Sequence, residues 1–180
     1  MDPLARVGKP APDFVLHDLD GRICRLADQR GRILVLNFWS GECPHSARTD
    51  QVLASLRPVW GDRVVVWWLA PNANEDDEQL TLAAHQRQVG PVLRDEGLVI
   101  AERFGALTTP HFFVVDERGV LRYAGAPDDV NFRQRVPSRG YLAEAVQALL
   151  EGREPEPEST MPFGCVLVRV PGAPRPPVNP

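Results

Sequence analysis

Apolar residues along the chain form two kinds of pattern, and the two kinds alternate. Residues 33–38 and 64–69 are apolar on both faces of an extended chain, which is typical of buried central strands. Apolar positions recur at three- and four-residue spacing over about 43–59 and again over 141–150, which predicts helices. Strand and helix patterns in alternation predict an α/β architecture.

Shorter patterns fill the gaps between these elements. Residues 14–17 and 23–26 flank a polar turn and predict an N-terminal hairpin, and 112–115 and 120–123 predict another. The remaining predicted elements are a helix with its acidic first turn at 75–78, a short edge strand at 92–95, and a short helix at 98–104 that Gly105 ends.

The composition changes beyond Gly152, so we divide the chain into a main domain, 1–152, and a C-terminal extension, 153–180. The extension holds eight prolines, which exclude most of it from a helix or a central strand. Residues 164–170, which include Cys165, are the one stretch able to add a strand. Residues 171–180 are expected to be extended or disordered.

Charge and composition exclude several classes of function. A net charge of −4 without a basic cluster argues against a nucleic-acid surface. No apolar run is long enough to cross a bilayer, and the N-terminus lacks the apolar core of a secretory signal, so we expect a cytoplasmic protein. The three cysteines are too few for a disulfide scaffold, and no second ligand pair accompanies Cys43 and His45. We therefore expect neither a metal nor a cofactor.

The most informative stretch is 38–46, with the sequence FWSGECPHS, because it joins a predicted strand to a predicted helix. Cys43 would lie at the helix start, where free N–H groups and the helix dipole favour an anion. A thiol there is expected to have a lowered pKa and to be a nucleophile. Pro44 suits the first helical turn, where its missing N–H has no consequence.

Several motifs resemble those of known redox proteins. Phe38-Trp39 followed by Cys43-Pro44 resembles the redox turn of thioredoxin-like proteins, and Thr108-Thr109-Pro110 resembles their cis-proline loop. Residues 8–14 resemble the start of the redoxin branch, the alkyl hydroperoxide reductase and thiol-specific antioxidant family. The segment 161–165, MPFGC, is similar to the ending of one group of bacterial redoxins. This chain would be a monothiol variant, since its motif reads CPHS.

The resemblance implies a thioredoxin-like fold: a central mixed sheet flanked by helices, here with an N-terminal β-hairpin and a proline-rich C-terminal tail. It implies that Pro110 is cis and faces Cys43, that the Thr109 backbone pairs with an extended substrate segment, and that Trp39 lines the active-site surface. The candidate catalytic residues are Cys43, Ser46 and Pro110, the supporting residues are Trp39, Pro44, His45 and Thr109, and Cys165 is a possible resolving cysteine.

Three of these residues have two interpretations each. Ser46 either caps the turn or donates a hydrogen bond to the thiolate, but it cannot form a disulfide. His45 either favours the thiolate through a hydrogen bond or its charge, or it is a surface histidine. Cys165 is either a small apolar residue of the tail or a thiol that reaches Cys43, which depends on bonding geometry.

Three functions fit these residues. The leading hypothesis is a thiol-dependent redox protein in which Cys43 attacks a disulfide and Cys165 or an external thiol releases the product. Its partners would be a thiol or disulfide substrate and an external thiol reductant. The second is peroxide reduction through a sulfenic acid at Cys43. The third is a binding module without turnover that retains the groove for extended peptides.

Overall fold

The computed structural model describes residues 4–171 of the 180-residue chain. Its strands are β1 (Val15–His17), β2 (Ile23–Arg25), β3 (Ile33–Phe38), β4 (Val64–Ala70), β5 (Val92–Arg94), β6 (Thr108–Thr109), β7 (His111–Val115), β8 (Leu121–Gly125) and β9 (Cys165–Val166). Its α-helices are α1 (Pro44–Trp60), α2 (Asp77–Arg87), α3 (Val99–Phe104) and α4 (Tyr141–Leu150). The two hairpins, the edge strand and the helices predicted from the sequence are confirmed, with end points that shift by a few residues.

A five-stranded mixed sheet in the order β5-β4-β3-β7-β8 forms the centre of the molecule. Strands β3, β4 and β5 are parallel, and β7 and β8 run antiparallel to their neighbours. All six residues of β3 are buried, as their two-sided apolar pattern predicts. Because β7 pairs with β3, Phe38 at the end of β3 lies opposite His111 at the start of β7.

Apolar side chains cover both faces of this sheet. One face packs against α3 and the N-terminal segment, in a cluster that includes Phe38, Phe104 and Phe113. The other face packs against α1, α2 and α4, in a cluster that includes Trp39 and Trp68. The sheet flanked by helices therefore has the layered α/β architecture expected from the sequence. Among residues 4–171, no helix is both long and apolar enough to span a membrane.

The described part of the C-terminal extension is packed against the main domain. Thr160 donates its N–H to the carbonyl of Ala124, at the free edge of β8. Leu167 is buried in the same cluster as α3. Between these points β9 pairs antiparallel with β6. The sequence patterns did not predict that Thr108 and Thr109 of β6 form a strand. That residues 171–180 are extended or disordered stays a prediction, because residues 172–180 lie outside the described range.

Candidate active site at the start of the first helix

Cys43 lies where β3 passes into α1. It is the residue immediately before the helix, with extended backbone angles (φ −78°, ψ 121°), and Pro44 is the first helical residue. This is the position in which the helix offers unpaired N–H groups to an anion. The Cys43 side chain is only 3% exposed, so it is covered by other parts of the chain.

The cis-proline loop forms one side of this cover. The peptide bond between Thr109 and Pro110 is cis, as the resemblance implies. The Sγ atom of Cys43 lies 3.0 Å from the carbonyl oxygen of Thr109. The two segments meet because β7, which follows Pro110, pairs with β3, which leads to Cys43. The sheet register therefore places Cys43 and the loop together.

The other side of the cover is the tail strand β9, which brings a second thiol to the site. Cys165 lies opposite Thr109 in the β6–β9 pair, and its Sγ atom is 2.7 Å from Sγ of Cys43. Both cysteines are free thiols. A Cβ atom on Gly164 would lie 2.2 Å from the Thr109 carbonyl oxygen, so only glycine allows this approach. Thus the tail occupies the place beside Thr109 that the resemblance assigns to an extended substrate segment.

The pKa values of the two thiols are shifted in opposite directions. Burial would raise the pKa of Cys43, but hydrogen bonds from the Cys165 thiol and from the main-chain N–H of Ser46 outweigh it, and the pKa is lowered from its ordinary value. Burial, together with the hydrogen bond to Cys43 and the charge on Cys43, raises the pKa of Cys165 to about 12. Cys43 is therefore the thiol of the pair that ionises first, and Cys165 is the one that keeps its proton.

Ser46 and His45 act on the two sulfurs through their main chains. The Ser46 hydroxyl is fully buried and accepts a hydrogen bond from the Ser40 N–H at 3.4 Å. The Ser46 N–H favours the Cys43 thiolate together with the Cys165 thiol, and the His45 N–H lies against Cys165. The His45 ring packs edge-on against Phe163 of the tail, with 4.9 Å between ring centroids.

A buried charged network that we did not predict from the sequence lies beneath the redox turn. Asp50 of α1 accepts hydrogen bonds from the indole N–H groups of Trp39 and Trp68, each at 2.9 Å, and forms an ion pair with Arg87 at 3.4 Å. Burial raises the pKa of Asp50, although the indole groups and Arg87 act in the opposite direction. Trp39 is fully buried, so it supports the turn from below and does not line the surface as the resemblance implied.

Arg87 also holds the redox turn from the end of α2. Its guanidinium donates to the Ser40 carbonyl at 3.2 Å and to the Gly41 carbonyl. The position of Gly41 leaves no space for a side chain, since a Cβ atom there would be 2.8 Å from that of Ala83 in α2. The turn is therefore locked against α2 as well as α1.

A second unexpected connection joins the redox turn to the tail. Glu75 accepts the Glu42 N–H at 3.1 Å and the side-chain amide of Asn72 at 3.2 Å. Asn72 in turn accepts the Val168 N–H at 2.9 Å. The sequence placed Glu75 in the first turn of a helix, which is wrong: α2 begins at Asp77, and Glu75 is buried beside the site.

His111 and Cys24, which also carry titratable side chains, have no hydrogen bond to the two sulfurs among the described contacts. His111 is buried, its Nδ1 accepts the Leu107 N–H at 3.2 Å, and burial lowers its pKa to about 4, so it is neutral at physiological pH. Cys24 lies in β2, where burial and then Asp18 raise its pKa. Within residues 4–171, no group of three or more His, Cys, Asp or Glu side chains is arranged to hold a metal ion.

Comparisons with known proteins find relatives over most of the chain. The family model described as the AhpC/TSA family matches residues 7–124. The thiol-disulfide oxidoreductase ResA of Halalkalibacterium halodurans is 32% identical over 156 residues, which cover 85% of this chain and 80% of that protein. Thus the sequence similarity extends beyond the redox turn to most of the chain.

Solved structures show the same fold. A hypothetical protein, SMc02350, from Sinorhizobium meliloti 1021 superimposes with a TM-score of 0.83 at 28% identity, covering 93% of this chain and 96% of that one. A putative thiol:disulfide interchange protein DsbE from Chlorobium tepidum has a TM-score of 0.64 at 19% identity, with 82% of this chain and 97% of that chain covered. The thioredoxin-like α/β fold expected from the sequence is thereby confirmed.

Proposed function

This chain belongs to the AhpC/TSA family, and from that premise we propose that it is a thiol-disulfide oxidoreductase whose working pair is Cys43 and Cys165. One observation carries the proposal: the two Sγ atoms lie 2.7 Å apart although the residues are 122 positions apart in the chain. A disulfide bond is about 2.05 Å long, so bond formation needs the sulfurs to approach by less than an ångström.

The geometry supports a role for each residue. Cys43 supplies the thiolate, which the Ser46 N–H and the start of α1 stabilise. In the forward reaction this thiolate attacks a substrate disulfide, and β9 has to move from β6 for that approach because Cys43 is covered. The result is a mixed disulfide at Cys43 and a released substrate thiol.

Cys165 then completes the exchange. Once Cys43 is in a mixed disulfide it carries no charge, and the charge that raises the pKa of Cys165 is gone. Cys165 becomes a better nucleophile, attacks Sγ of Cys43 and expels the second substrate thiol. Two external thiols, which are themselves oxidised to a disulfide, return the Cys43–Cys165 disulfide to the dithiol, as a cytoplasmic location would allow.

The two alternative functions receive less support. For peroxide reduction, a hydroxyl and an arginine would have to serve the sulfur, but Arg87, the arginine that holds the redox turn, is bound to Asp50 and to the Ser40 carbonyl. For a binding module without turnover, nothing would require the Cys165 sulfur to lie 2.7 Å from that of Cys43. We therefore favour thiol-disulfide exchange.

Mass-spectrometric mapping of the cysteines tests the proposal. The protein is oxidised mildly, its remaining thiols are blocked, and it is digested without reductant. We expect a peptide pair linked through Cys43 and Cys165, with Cys24 blocked as a free thiol. Sulfenic or sulfinic acid at Cys43 with Cys165 free would instead indicate a one-cysteine enzyme, and an unmodified Cys43 would indicate a binding module.

A further inference from the structure

We propose that, in the oxidised protein, the external thiol attacks the sulfur of Cys165 and not that of Cys43. This inference rests on the proposed Cys43–Cys165 disulfide and adds the direction of its reduction. Cys165 would then be the point at which reducing equivalents enter the protein, and Cys43 would exchange sulfur bonds with Cys165 alone during that step.

The first argument is the difference in exposure of the two residues. Cys43 is 3% exposed and is enclosed by the helix start, the cis-proline loop and β9. Cys165 is partly exposed, and its neighbour Val166 is 78% exposed, so this part of β9 faces solvent. Because bond formation requires less than an ångström of approach, the same exposure applies to the disulfide form.

The second argument is that the tail is anchored on both sides of Cys165. Upstream, the Thr160 hydroxyl lies 2.7 Å from the Tyr123 hydroxyl and accepts the Ala126 N–H at 2.9 Å. Downstream, the Val168 N–H donates to Asn72 at 2.9 Å, and Leu167 is buried in the core. With the disulfide as a third anchor between these two, the tail keeps Cys43 covered while the protein is oxidised.

The third argument is the chemistry of the bond that breaks. The external thiolate forms a bond to Sγ of Cys165, the Cys43–Cys165 bond breaks, and Cys43 leaves with the electron pair. The N–H groups of Ser46 and Cys165 already point at the Cys43 sulfur and stabilise that charge. A second external thiol then attacks the external sulfur, and Cys165 leaves and takes up a proton. The external thiols are oxidised to a disulfide and the protein pair is reduced by two electrons.

The order of attack can be read from the first mixed disulfide that forms. A Cys24→Ser protein is oxidised, and the Cys43–Cys165 link is verified by mass spectrometry before the reaction. Limiting glutathione is added, and samples taken at increasing times are quenched in mild acid that contains N-ethylmaleimide. We expect glutathione on Cys165 and maleimide on Cys43, in at least tenfold excess over the reverse pattern when extrapolated to zero time.

Each other result has a distinct meaning. Glutathione on Cys43, or equal amounts on both cysteines at zero time, would overturn the inference while leaving the proposed function intact. Failure to form the Cys43–Cys165 link in the first step would overturn the proposed function itself, and the inference with it.

A pair of glycine variants tests whether the cover by the tail is the reason that the external thiol attacks Cys165 and not Cys43. A Cβ atom at Gly164 would lie 2.2 Å from the Thr109 oxygen, whereas one at Gly140 has its nearest heavy atom at 3.7 Å. We expect Gly164→Ala to increase the share of glutathione on Cys43 at least threefold, and Gly140→Ala to leave it as in the parent. If Gly164→Ala does not fold, Thr160→Val takes its place in the experiment, because that substitution loosens the upstream anchor. An unchanged pattern in the loosened variant would contradict the role of the cover.

Discussion

The two sulfur-bearing segments of the site are built in opposite ways. Cys43 lies between the fully buried strand β3 and a 17-residue helix, on a turn that Arg87 holds from below. Cys165 lies on a strand of two residues whose neighbours Val166 and Val168 are exposed, and it reaches the site from 122 positions away. The thiolate is therefore on a rigid element, and its partner is on a segment that can move.

This difference explains why Cys43 can serve as the nucleophile and Cys165 as the sulfur that external thiols attack. A thiolate needs fixed N–H donors, which only a helix start in a packed core supplies without reorganisation. A sulfur that meets external thiols needs access to solvent, which the partly exposed position of Cys165 on β9 supplies. The comparison predicts that damage to the two segments has different consequences.

The largest effect is expected from exchanging each cysteine for serine. Cys43→Ser removes the thiolate, so dithiol exchange on a model disulfide falls to the background rate and no mixed disulfide forms. Cys165→Ser keeps the nucleophile but removes the release step, so the protein accumulates as a mixed disulfide at Cys43. Absorbance of the released thiol and the intact mass of the protein distinguish the two results. Equal accumulation of mixed disulfide in both variants would mean that the roles are misassigned.

The next largest effect is expected when one buried leucine in each segment is replaced by alanine. Leu53 of α1 is fully buried behind the redox turn, and its replacement by alanine is expected to lower the free energy of unfolding by about 2–5 kcal/mol. Leu167 is buried beside β9, and Leu167→Ala is expected to release the tail before the core unfolds. Hydrogen exchange at the Val168 N–H would then accelerate, while exchange in β3 stays at its original rate. Acceleration of both to the same extent would show that the tail is part of the core.

A smaller effect is expected from replacing Asp50, the buried acidic residue beneath the redox turn. Asp50→Asn leaves one of two buried indole N–H groups without an acceptor, which costs about 1–3 kcal/mol in the free energy of unfolding. The pKa of Asp50 is raised above its ordinary value of 3.8 by burial, so the folded protein holds this proton more tightly than the unfolded chain. The stability that comes from this proton is fully present below pH 3.8 and is lost as the pH rises through the folded pKa.

The stability difference between wild type and Asp50→Asn should consequently be largest in acid and shrink toward neutral pH. Urea unfolding of both proteins across that range measures it, and the subtraction cancels the titration of the other groups. A difference that grows with pH would mean that Arg87 outweighs burial and that the pKa of Asp50 is lowered.

The redox turn could be predicted from the sequence, while the arrangement around it could not. The apolar run of β3 and the periodicity of α1 are local signals, and they fix Cys43 at the helix start. Asp50 had a signal that was overlooked, because it shares the buried helix face with Ser46 and Leu53. An acidic residue on such a face indicates a buried partner.

The tail contacts had only a partial signal: residues 164–170 are predicted as the one stretch of the tail able to add a strand, but no pattern assigns its partner strand. Strands of two residues, such as β6 and β9, are too short to show a periodic pattern. Glu75 sits in an acidic run that suits a helix start, and only the fold shows that it turns inward to the Glu42 N–H. Proximity of Cys165 to Cys43 depends on the path of the tail along β8, which is a tertiary property.

The smallest effect should come from the connection between the two segments. Asn72→Ala removes the acceptor of the Val168 N–H, a hydrogen bond worth about 0.5–1.5 kcal/mol, and leaves the Cys43 turn with its contacts to Arg87 and Ser46. We expect hydrogen exchange at Val168 to accelerate up to about tenfold, since 1.4 kcal/mol is a factor of ten in an equilibrium constant. The pH at which iodoacetamide alkylation of Cys43 reaches half its maximal rate should shift little, because Asn72→Ala changes neither the Cys165 thiol nor the Ser46 N–H that favour the thiolate. Asn74→Ala is a suitable control, since its amide donates to the exposed Glu42 carboxylate at 2.9 Å. A large shift of that alkylation midpoint in Asn72→Ala alone would show that the tail anchor at Val168 controls the pKa of Cys43, so that the two segments act as one unit.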